Sequence, residues 1–241
     1  LQEANETMGL ALSDEEIARF ECSAPALPSF QPEVHGSHER ALRAQICRMV
    51  RRAYDQRLMT STEGTVSARV GEGSFLITPY GRDRSHLEVE DVVLVDGGRA
   101  EAGKQPSRAT RLHQVIYDQH PDVHCIITAQ SPNAMAYAVT GKRLDSKTIP
   151  ESYVVLRNVP LVAHGLQYEA PERISAAITK NSPVVLIEND TVLATGASVH
   201  QAFDRLEVAD FTAFSLLSTL SIGPLVPIGP AEVRELEGKF G

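Results

Sequence analysis

The sequence predicts a single layered α/β domain in which many neighbouring strands run antiparallel. Two pairs of short apolar segments are each separated by a tight turn, residues 65–70 from 74–78 and residues 183–187 from 191–194. Such pairs are typical of β-hairpins. Apolar residues at helical spacing precede the first pair and follow the second. Hairpins flanked by helices favour a layered sheet over a strict succession of parallel βαβ units.

The composition excludes several classes of protein. The chain has 241 residues, 42% of them hydrophobic, which is enough for one large domain with a substantial core. Lys and Arg number 23 against 31 Asp and Glu, and the net charge of -8 disfavours nucleic acid as a partner. Three widely spaced cysteines without a CxxC pair indicate neither a disulfide framework nor a cysteine zinc site.

No membrane or export signal is recognisable in the sequence. No uncharged segment approaches the roughly 20 apolar residues that cross a bilayer. Acidic residues near the start are atypical of a signal peptide. We therefore expect a cytoplasmic protein with no membrane partner.

The predicted domain boundary lies near residue 36. Residues 1–36 are expected to form an N-terminal arm or linker, because a capping-box pattern at residues 13–16 is soon followed by Pro25, Pro28 and Pro32. Residues 37–241 form the domain, which is predicted to open on an amphipathic helix of about five turns. The further predicted elements are a strand at 92–95, a helix at 110–118, a strand at 123–128, a helix from 131, weak strands at 154–156 and 161–163, a helix at 171–180, the second hairpin, a helix at 199–220 and a tail broken early by Gly and Pro.

Four loops are rich in turn residues and small hydroxyl side chains, at residues 60–65, 78–81, 105–109 and 188–191. Loops of this kind at strand ends can present backbone N–H groups and hydroxyls to an anion, and Arg108 can add a bidentate contact. The alternative is that they are simply four turns.

The eight histidines form no recognisable metal-binding or catalytic motif. The sequence contains no HxH, HExxH, GxSxG or phosphate-binding glycine loop. His113, on an apolar helix face, is expected to be a hydrogen-bonded structural residue.

From about residue 39 onward, the order of motifs resembles the class II aldolase and adducin family. The matching segments are TEGTVSAR (62–69), FLITPYG (75–81), DVV (91–93), PSRATRLH (106–113), HPDVHCIITAQSP (120–132) and IENDT (187–191). The resemblance implies a three-layer α/β/α domain with a central, mainly antiparallel sheet.

The resemblance also implies a metal site that this chain has lost. In similar enzymes three histidines hold a divalent, zinc-type ion and a glutamate acts as acid and base. The corresponding residues here are Thr128, Gln130, Asp190 and Ala109. A hydroxyl, an amide and one carboxylate make a poor zinc site, and alanine transfers no proton. We therefore expect no metal cofactor and a degenerate active site.

A phosphate pocket is the second implication of the resemblance. The matching positions are Gly64, Thr65, Gly81, Ser107 and Arg108. Thr65 and Arg108 depart from the family's Asn and second Ser. Two roles are open for Arg108: it strengthens the binding of a carboxylate or phosphate, or it pairs with Asp190 in the vacated metal pocket.

The leading functional hypothesis is a divergent, non-catalytic family member that serves assembly, ligand binding or partner binding. By resemblance we expect a homo-oligomer, a tetramer, with a small anionic ligand. The long helix carrying Phe203, Phe211 and Phe214 either contributes to that contact or fills the core.

Two alternatives remain. The chain is an active lyase, isomerase or epimerase on a small sugar or sugar phosphate, with zinc or another divalent metal expected only in this case. Its candidate catalytic residues are Asp190, Tyr80, His113 and His164. Otherwise a partner chain or domain supplies the missing histidines.

Overall fold

The computed structural model describes residues 26–32 and 35–240, and its centre is a nine-stranded mixed sheet. The predicted capping-box helix near residues 13–16 lies outside the described residues. The strands are β1 (Ser29–Phe30), β2 (Thr65–Gly71), β3 (Ser74–Ile77), β4 (Val93–Asp96), β5 (Arg99–Glu101), β6 (Cys125–Ala129), β7 (Leu161–Val162), β8 (Val184–Ile187) and β9 (Thr191–Gly196). The helices are α1 (Ser37–Asp55), α2 (Thr110–Gln119), α3 (Pro132–Thr140), α4 (Pro150–Leu156), α5 (Leu166–Glu169), α6 (Pro171–Ala177), α7 (Val199–Thr219) and α8 (Pro230–Phe240).

The sheet has the order β1-β5-β4-β3-β2-β6-β9-β8-β7. Within the described strands, parallel pairing occurs only at the two edges, between β1 and β5 and between β7 and β8. Every other neighbouring pair is antiparallel. The prediction of a mainly antiparallel sheet is confirmed.

Helices cover both faces of the sheet, because successive strand residues point to opposite faces. In β6, Cys125 and Ile127 pack on one face with residues of α1, α3, α4 and α7. Ile126, between them, packs on the other face with residues of α2, α5 and α6. The three-layer arrangement expected from the resemblance is therefore present.

One prediction about local structure is wrong. Residues 154–156 are the end of helix α4 rather than a strand, because Pro150 occupies its first turn and buried Tyr153 and Leu156 recur at helical spacing. The tail is broken early, as predicted, since residues 223–229 form no helix or strand. Helix α8 follows, and Tyr153 contacts it by donating a hydrogen bond to Glu237 at 2.6 Å. The strand predicted at residues 161–163 is confirmed as β7.

Residues 29 and 30, inside the predicted arm, form β1 at one edge of the sheet. Two residues of this segment therefore belong to the sheet. The domain boundary at residue 36 stays a prediction.

Helix α7 buries Phe203 against the sheet but exposes Phe211 by 63% and Phe214 by 53%. Of the two roles left open for these aromatic residues, filling the core therefore applies to Phe203 and not to Phe211 or Phe214. Neither α7 nor another helix in the described part of the chain combines the length and apolarity needed to cross a bilayer.

A buried ion cluster fastens α1 to the sheet. Arg43, on α1, contacts the carboxylate of Glu39 at 2.7 Å and that of Glu101, in β5, at 2.8 Å. Arg43 also donates to the carbonyls of Val89 and Val92. Burial acts to raise the pKa of Glu101, but hydrogen bonds from Lys104, Arg43 and the Leu94 N–H hold it below its usual value. Each buried charge of the cluster has a partner of opposite sign, so removal of one partner would leave a buried charge uncompensated.

Arg43→Met is expected to destabilise the fold by about 3 kcal/mol or more, because two buried carboxylates lose their shared cation. Urea unfolding followed by circular dichroism measures the change. Arg51→Met is the matched control on the same helix. The ion pair of Arg51 with Glu88 is exposed, so its loss should cost below about 1 kcal/mol. Equal effects of the two substitutions would contradict the assignment of the Arg43 cluster as a structural anchor.

Candidate functional site

Most of the predicted site residues meet in one cleft at the end of the sheet where β2 and β9 begin and β3 and β6 end. The cleft is open to solvent and is joined, through shared walls, to a second hollow. The residues lining the cleft are Glu63, Gly64, Thr65, Ser107, Arg108, Ala109, Leu112, Thr128, Gln130, Gln167, Tyr168, Asp190 and Thr191. The hollow adds Thr62, Tyr80, Gly81 and Arg84.

The register of β2 against β6 brings the predicted anion-binding residues beside the positions matched to metal ligands. Thr65, at the start of β2, pairs across the ladder with Thr128 of β6. The Thr65 hydroxyl lies 2.7 Å from the hydroxyl of Ser107. A predicted anion-binding threonine therefore stands directly beside a predicted former metal position.

Backbone contacts hold the loop after β3 against the loop that carries Ser107. The Ser107 N–H donates to the Thr78 carbonyl at 3.1 Å, and the Tyr80 N–H donates to the Gln105 carbonyl at 2.9 Å. Residues 107–109 lead directly into α2. The positive end of the α2 helix dipole therefore adds to the charge of Arg108 at the wall of the cleft.

Gly64 is required where the first loop enters β2. Its φ of +92° favours glycine, and a Cβ atom at this position would lie 2.6 Å from Cγ of Met59. The loop can therefore pass over the buried Met59 side chain only at a residue that lacks a side chain.

Arg108 pairs with Glu63 rather than with Asp190. Its Nη2 lies 3.3 Å from the nearer Glu63 carboxylate oxygen, and its guanidinium lies 5.9 Å from the centre of the Tyr80 ring. The suggested pairing with Asp190 is wrong, since Glu63, from the loop before β2, takes that place. Both members of the pair are partly exposed, so an incoming anion can compete for the guanidinium.

Arg84 is a buried cation that sequence reasoning missed. Its side chain is 2% exposed and lines the hollow. It donates to the carbonyls of Gly64 at 3.0 Å, Pro79 at 3.2 Å and Arg82 at 3.1 Å, and no carboxylate in the described part of the chain forms an ion pair with it. Burial lowers the pKa of Arg84 to about 10, which leaves it charged at neutral pH. Nothing in the local sequence signals this burial.

The positions that the resemblance assigns to metal ligands lie together in the cleft, but their side chains do not fit a zinc-type ion. Thr128 supplies a hydroxyl, Gln130 an amide and Asp190 one carboxylate, whereas zinc sites are built from imidazole, thiolate and carboxylate. The Gln130 Nε2 donates to the Asp190 carbonyl at 3.3 Å. No group of three His, Cys, Asp or Glu side chains among residues 26–32 and 35–240 is placed to hold a metal.

Asp190 is the one acidic side chain among the positions matched to metal ligands. Burial raises its pKa, while the charges of His164 and Arg108 act in the opposite direction. A carboxyl group with a raised pKa can hold a proton closer to neutral pH than an exposed aspartate. A raised pKa of this kind is a property expected of a residue that acts as an acid or base.

The two histidines named as catalytic candidates lie in different surroundings. His113 is fully buried between α2 and β2, with Nδ1 2.7 Å from the Ser67 hydroxyl, and burial lowers its pKa to about 3. It does not line the cleft, and it has the surroundings of a neutral structural residue. His164 is exposed, and its Nδ1 lies 3.1 Å from the Glu188 carbonyl, in the turn that carries Asp190.

Gln167 is a second cleft residue that the sequence did not reveal. It lies on α5, is 6% exposed, and neither of its amide atoms has a hydrogen-bond partner in the described part of the chain. No motif distinguishes it from a surface glutamine.

Curated relatives share parts of this chain. Methylthioribulose-1-phosphate dehydratase from Methylococcus capsulatus (strain ATCC 33009 / NCIMB 11132 / Bath) is 37% identical over 98 residues, which are 40% of this chain and 47% of that protein. The match therefore spans about half of that relative's length. L-fuculose phosphate aldolase from Escherichia coli (strain K12) is 26% identical over 179 residues, which are 71% of this chain and 80% of that protein.

The fold is shared with solved structures. An aldolase II superfamily protein from Pseudomonas syringae superposes with a TM-score of 0.74 at 19% identity, over 86% of this chain and 88% of that one. At this identity the likeness shows the fold alone. Residues 44–217 match the domain described as Class II Aldolase and Adducin N-terminal domain. Because that match covers well over half of the sequence, the chain belongs to the class II aldolase and adducin family.

Proposed function

We propose that this family member binds a small anionic ligand in the cleft and lacks metal-dependent carbon–carbon cleavage and epimerisation. One observation carries the proposal. Thr128, Gln130, Asp190 and Ala109 line the same cleft as the predicted anion-binding residues. The part of the cleft that suits an anion is thus kept, while the side chains that would hold a catalytic ion are replaced.

Positive charge supports the anion part of the proposal. Arg84 is buried without an ion-pair partner among the described residues, and Arg108 forms its ion pair with the partly exposed Glu63. The hydroxyls of Thr65 and Ser107 stand beside them. Guanidinium groups and hydroxyls are the usual donors to phosphate and carboxylate oxygens.

The side chains at the four matched positions support the proposed lack of metal-dependent chemistry. Enediolate chemistry in the family draws on a divalent ion as Lewis acid, an effect generally worth several kcal/mol of barrier. Here the four positions offer one carboxylate, two neutral groups and a methyl. We infer that the cleft serves binding rather than this chemistry.

The names of the relatives suggest the class of ligand. Methylthioribulose-1-phosphate and L-fuculose phosphate are both sugar phosphates. We therefore propose a phosphate monoester of a small sugar as the ligand.

An active lyase, isomerase or epimerase with a rearranged site is the second candidate, and the raised pKa of Asp190 favours it. A partly buried carboxyl beside the bound ligand can act as acid or base. Turnover of a sugar phosphate that Asp190→Ala abolishes, while ligand binding persists, would support this candidate over the first.

We further propose that the chain forms a homo-oligomer, and we place the contact on α7. The exposed Phe211 and Phe214 line an open groove together with Leu58 and Ile149. Aromatic side chains at such positions are enriched in protein interfaces.

Arg108→Met is expected to weaken the binding of inorganic phosphate by about tenfold or more, since a hydrogen bond to a charged group contributes about 1.5–3 kcal/mol. Glu63→Gln should strengthen it by about threefold, because a competing carboxylate is removed. Isothermal titration calorimetry measures both affinities. Arg82→Met is the matched control, since Arg82 pairs with Asp91 outside the hollow. Unchanged affinity in Arg108→Met would remove this residue from the site.

The triple substitution T128H/Q130H/D190H is expected to create a zinc site, because three imidazoles would then line the cleft at the positions that hold histidine in similar enzymes. After dialysis against zinc and then buffer, elemental analysis should find close to one zinc per variant chain and far less in the unaltered chain. Stoichiometric zinc in the unaltered chain, with turnover of a ketose phosphate, would contradict the proposal.

Asp190→Asn is expected to raise the melting temperature near neutral pH. The folded-state pKa of Asp190 lies above its unfolded value, so the folded state binds more protons between those two values and loses stability as pH rises through that interval. The asparagine variant has no such loss. Its advantage should therefore vanish as the pH falls toward about 4.

Thermal unfolding between pH 3 and 8 tests this, with Asp118→Asn, at an exposed position outside the cleft, as the control. A melting-temperature difference between Asp190→Asn and the unaltered chain that does not change with pH would contradict the raised pKa.

A further inference from the structure

Gln167 carries a buried amide group that the described part of the chain leaves without a hydrogen bond. Both Oε1 and Nε2 lack hydrogen-bond partners in the described part of the chain, although the residue is 6% exposed. A buried polar group left unpaired costs free energy, and each such group in a folded protein calls for a cause. Gln167 lines the cleft, but its amide atoms are buried, so the side chain must turn toward the cleft for a bound molecule to supply what the protein does not.

The local structure holds Gln167 at the cleft. Gly165, with a φ of +90°, begins the single turn of α5 in a conformation that favours glycine. Leu166 packs against the apolar layer beneath the sheet. The short helix is therefore anchored on one side by an apolar residue while the next residue borders the cleft.

Gln130 presents a second unpaired amide atom in the same cleft. Its Nε2 donates to the Asp190 carbonyl, and its Oε1 is buried without a partner among the described residues. Exchanging the amide O and N of Gln167 leaves the conclusion unchanged, because neither atom is bonded. The two glutamines together offer a donor and two acceptors.

We propose that Gln167 and Gln130 form a subsite for hydroxyl groups on the carbon chain of the ligand, in the same cleft as the anion-binding residues. A hydroxyl both donates and accepts, and so satisfies an amide carbonyl and an amide N–H. A second anionic group on the ligand would meet the carboxylate of Asp190. An apolar chain would leave three amide atoms buried and unpaired, and a site of this kind discriminates strongly against an analogue that lacks the hydroxyl.

This inference rests on the proposed anion site, and matched probes separate the two. The probes are linear polyol monophosphates of three to five carbons, the alkyl phosphates of the same lengths, and inorganic phosphate. By isothermal titration calorimetry, the unaltered chain should bind at least one polyol phosphate about tenfold more tightly than its alkyl counterpart.

Gln167→Leu should reduce that preference to near unity while the affinity for inorganic phosphate stays unchanged. The melting temperature of the ligand-free variant should rise, because the unpaired amide is replaced by an apolar group of similar size. Gln167→Met repeats the test should the leucine variant fold poorly. Gln114→Leu, on α2 outside the cleft, is the control and should leave the preference intact.

The outcomes are distinguishable. Binding of inorganic phosphate without any preference for polyol phosphates overturns the hydroxyl subsite alone. A preference that persists in Gln167→Leu also overturns it. If no phosphate binds at all, the proposed anion site fails, and the subsite that depends on it fails with it.

Discussion

The antiparallel pairing of β2 with β6 is the interaction on which the cleft depends. Among the described strands it is the one ladder that joins the half of the sheet built from residues 29–101 to the half built from residues 125–196. A shift of one residue would turn every side chain of β2 to the opposite face. The register that sets Thr65 opposite Thr128 therefore fixes both the core and the meeting of the anion-binding residues with the positions matched to metal ligands.

Buried hydrogen bonds then determine the shape of the loops above the sheet. Arg84 ties the carbonyl of Gly64, before β2, to those of Pro79 and Arg82, after β3. Ser107 joins the same loop through the Thr78 carbonyl. Because these bonds involve only groups of the chain itself, the anion-binding end of the cleft keeps its geometry without any metal ligand.

The hairpins and the main helices could be predicted from the sequence, because periodicity reflects local geometry. The gathering of the cleft residues was expected only from the resemblance to the family. Residues 154–156 were misassigned since two β-branched residues outweighed the proline at the start of α4. The partner of Arg108 was not predictable, because Glu63 lies 45 positions away in a loop whose path depends on tertiary packing. Arg84 and Gln167 were missed for a related reason: no local pattern indicates that a polar side chain will be buried.

The distribution of charge in the cleft differs from that of a metalloenzyme of the same fold. A divalent ion would concentrate positive charge at the end formed by Thr128, Gln130 and Asp190, where the substitutions now leave a carboxylate and neutral groups. The positive charge instead comes from Arg108 in the cleft and Arg84 in the adjoining hollow, together with the start of α2. An anionic ligand would therefore be oriented by its charge toward the arginines, which leaves its remaining polar groups to the unpaired amides. A bound molecule would then be oriented by side chains of the chain itself rather than by a metal ion.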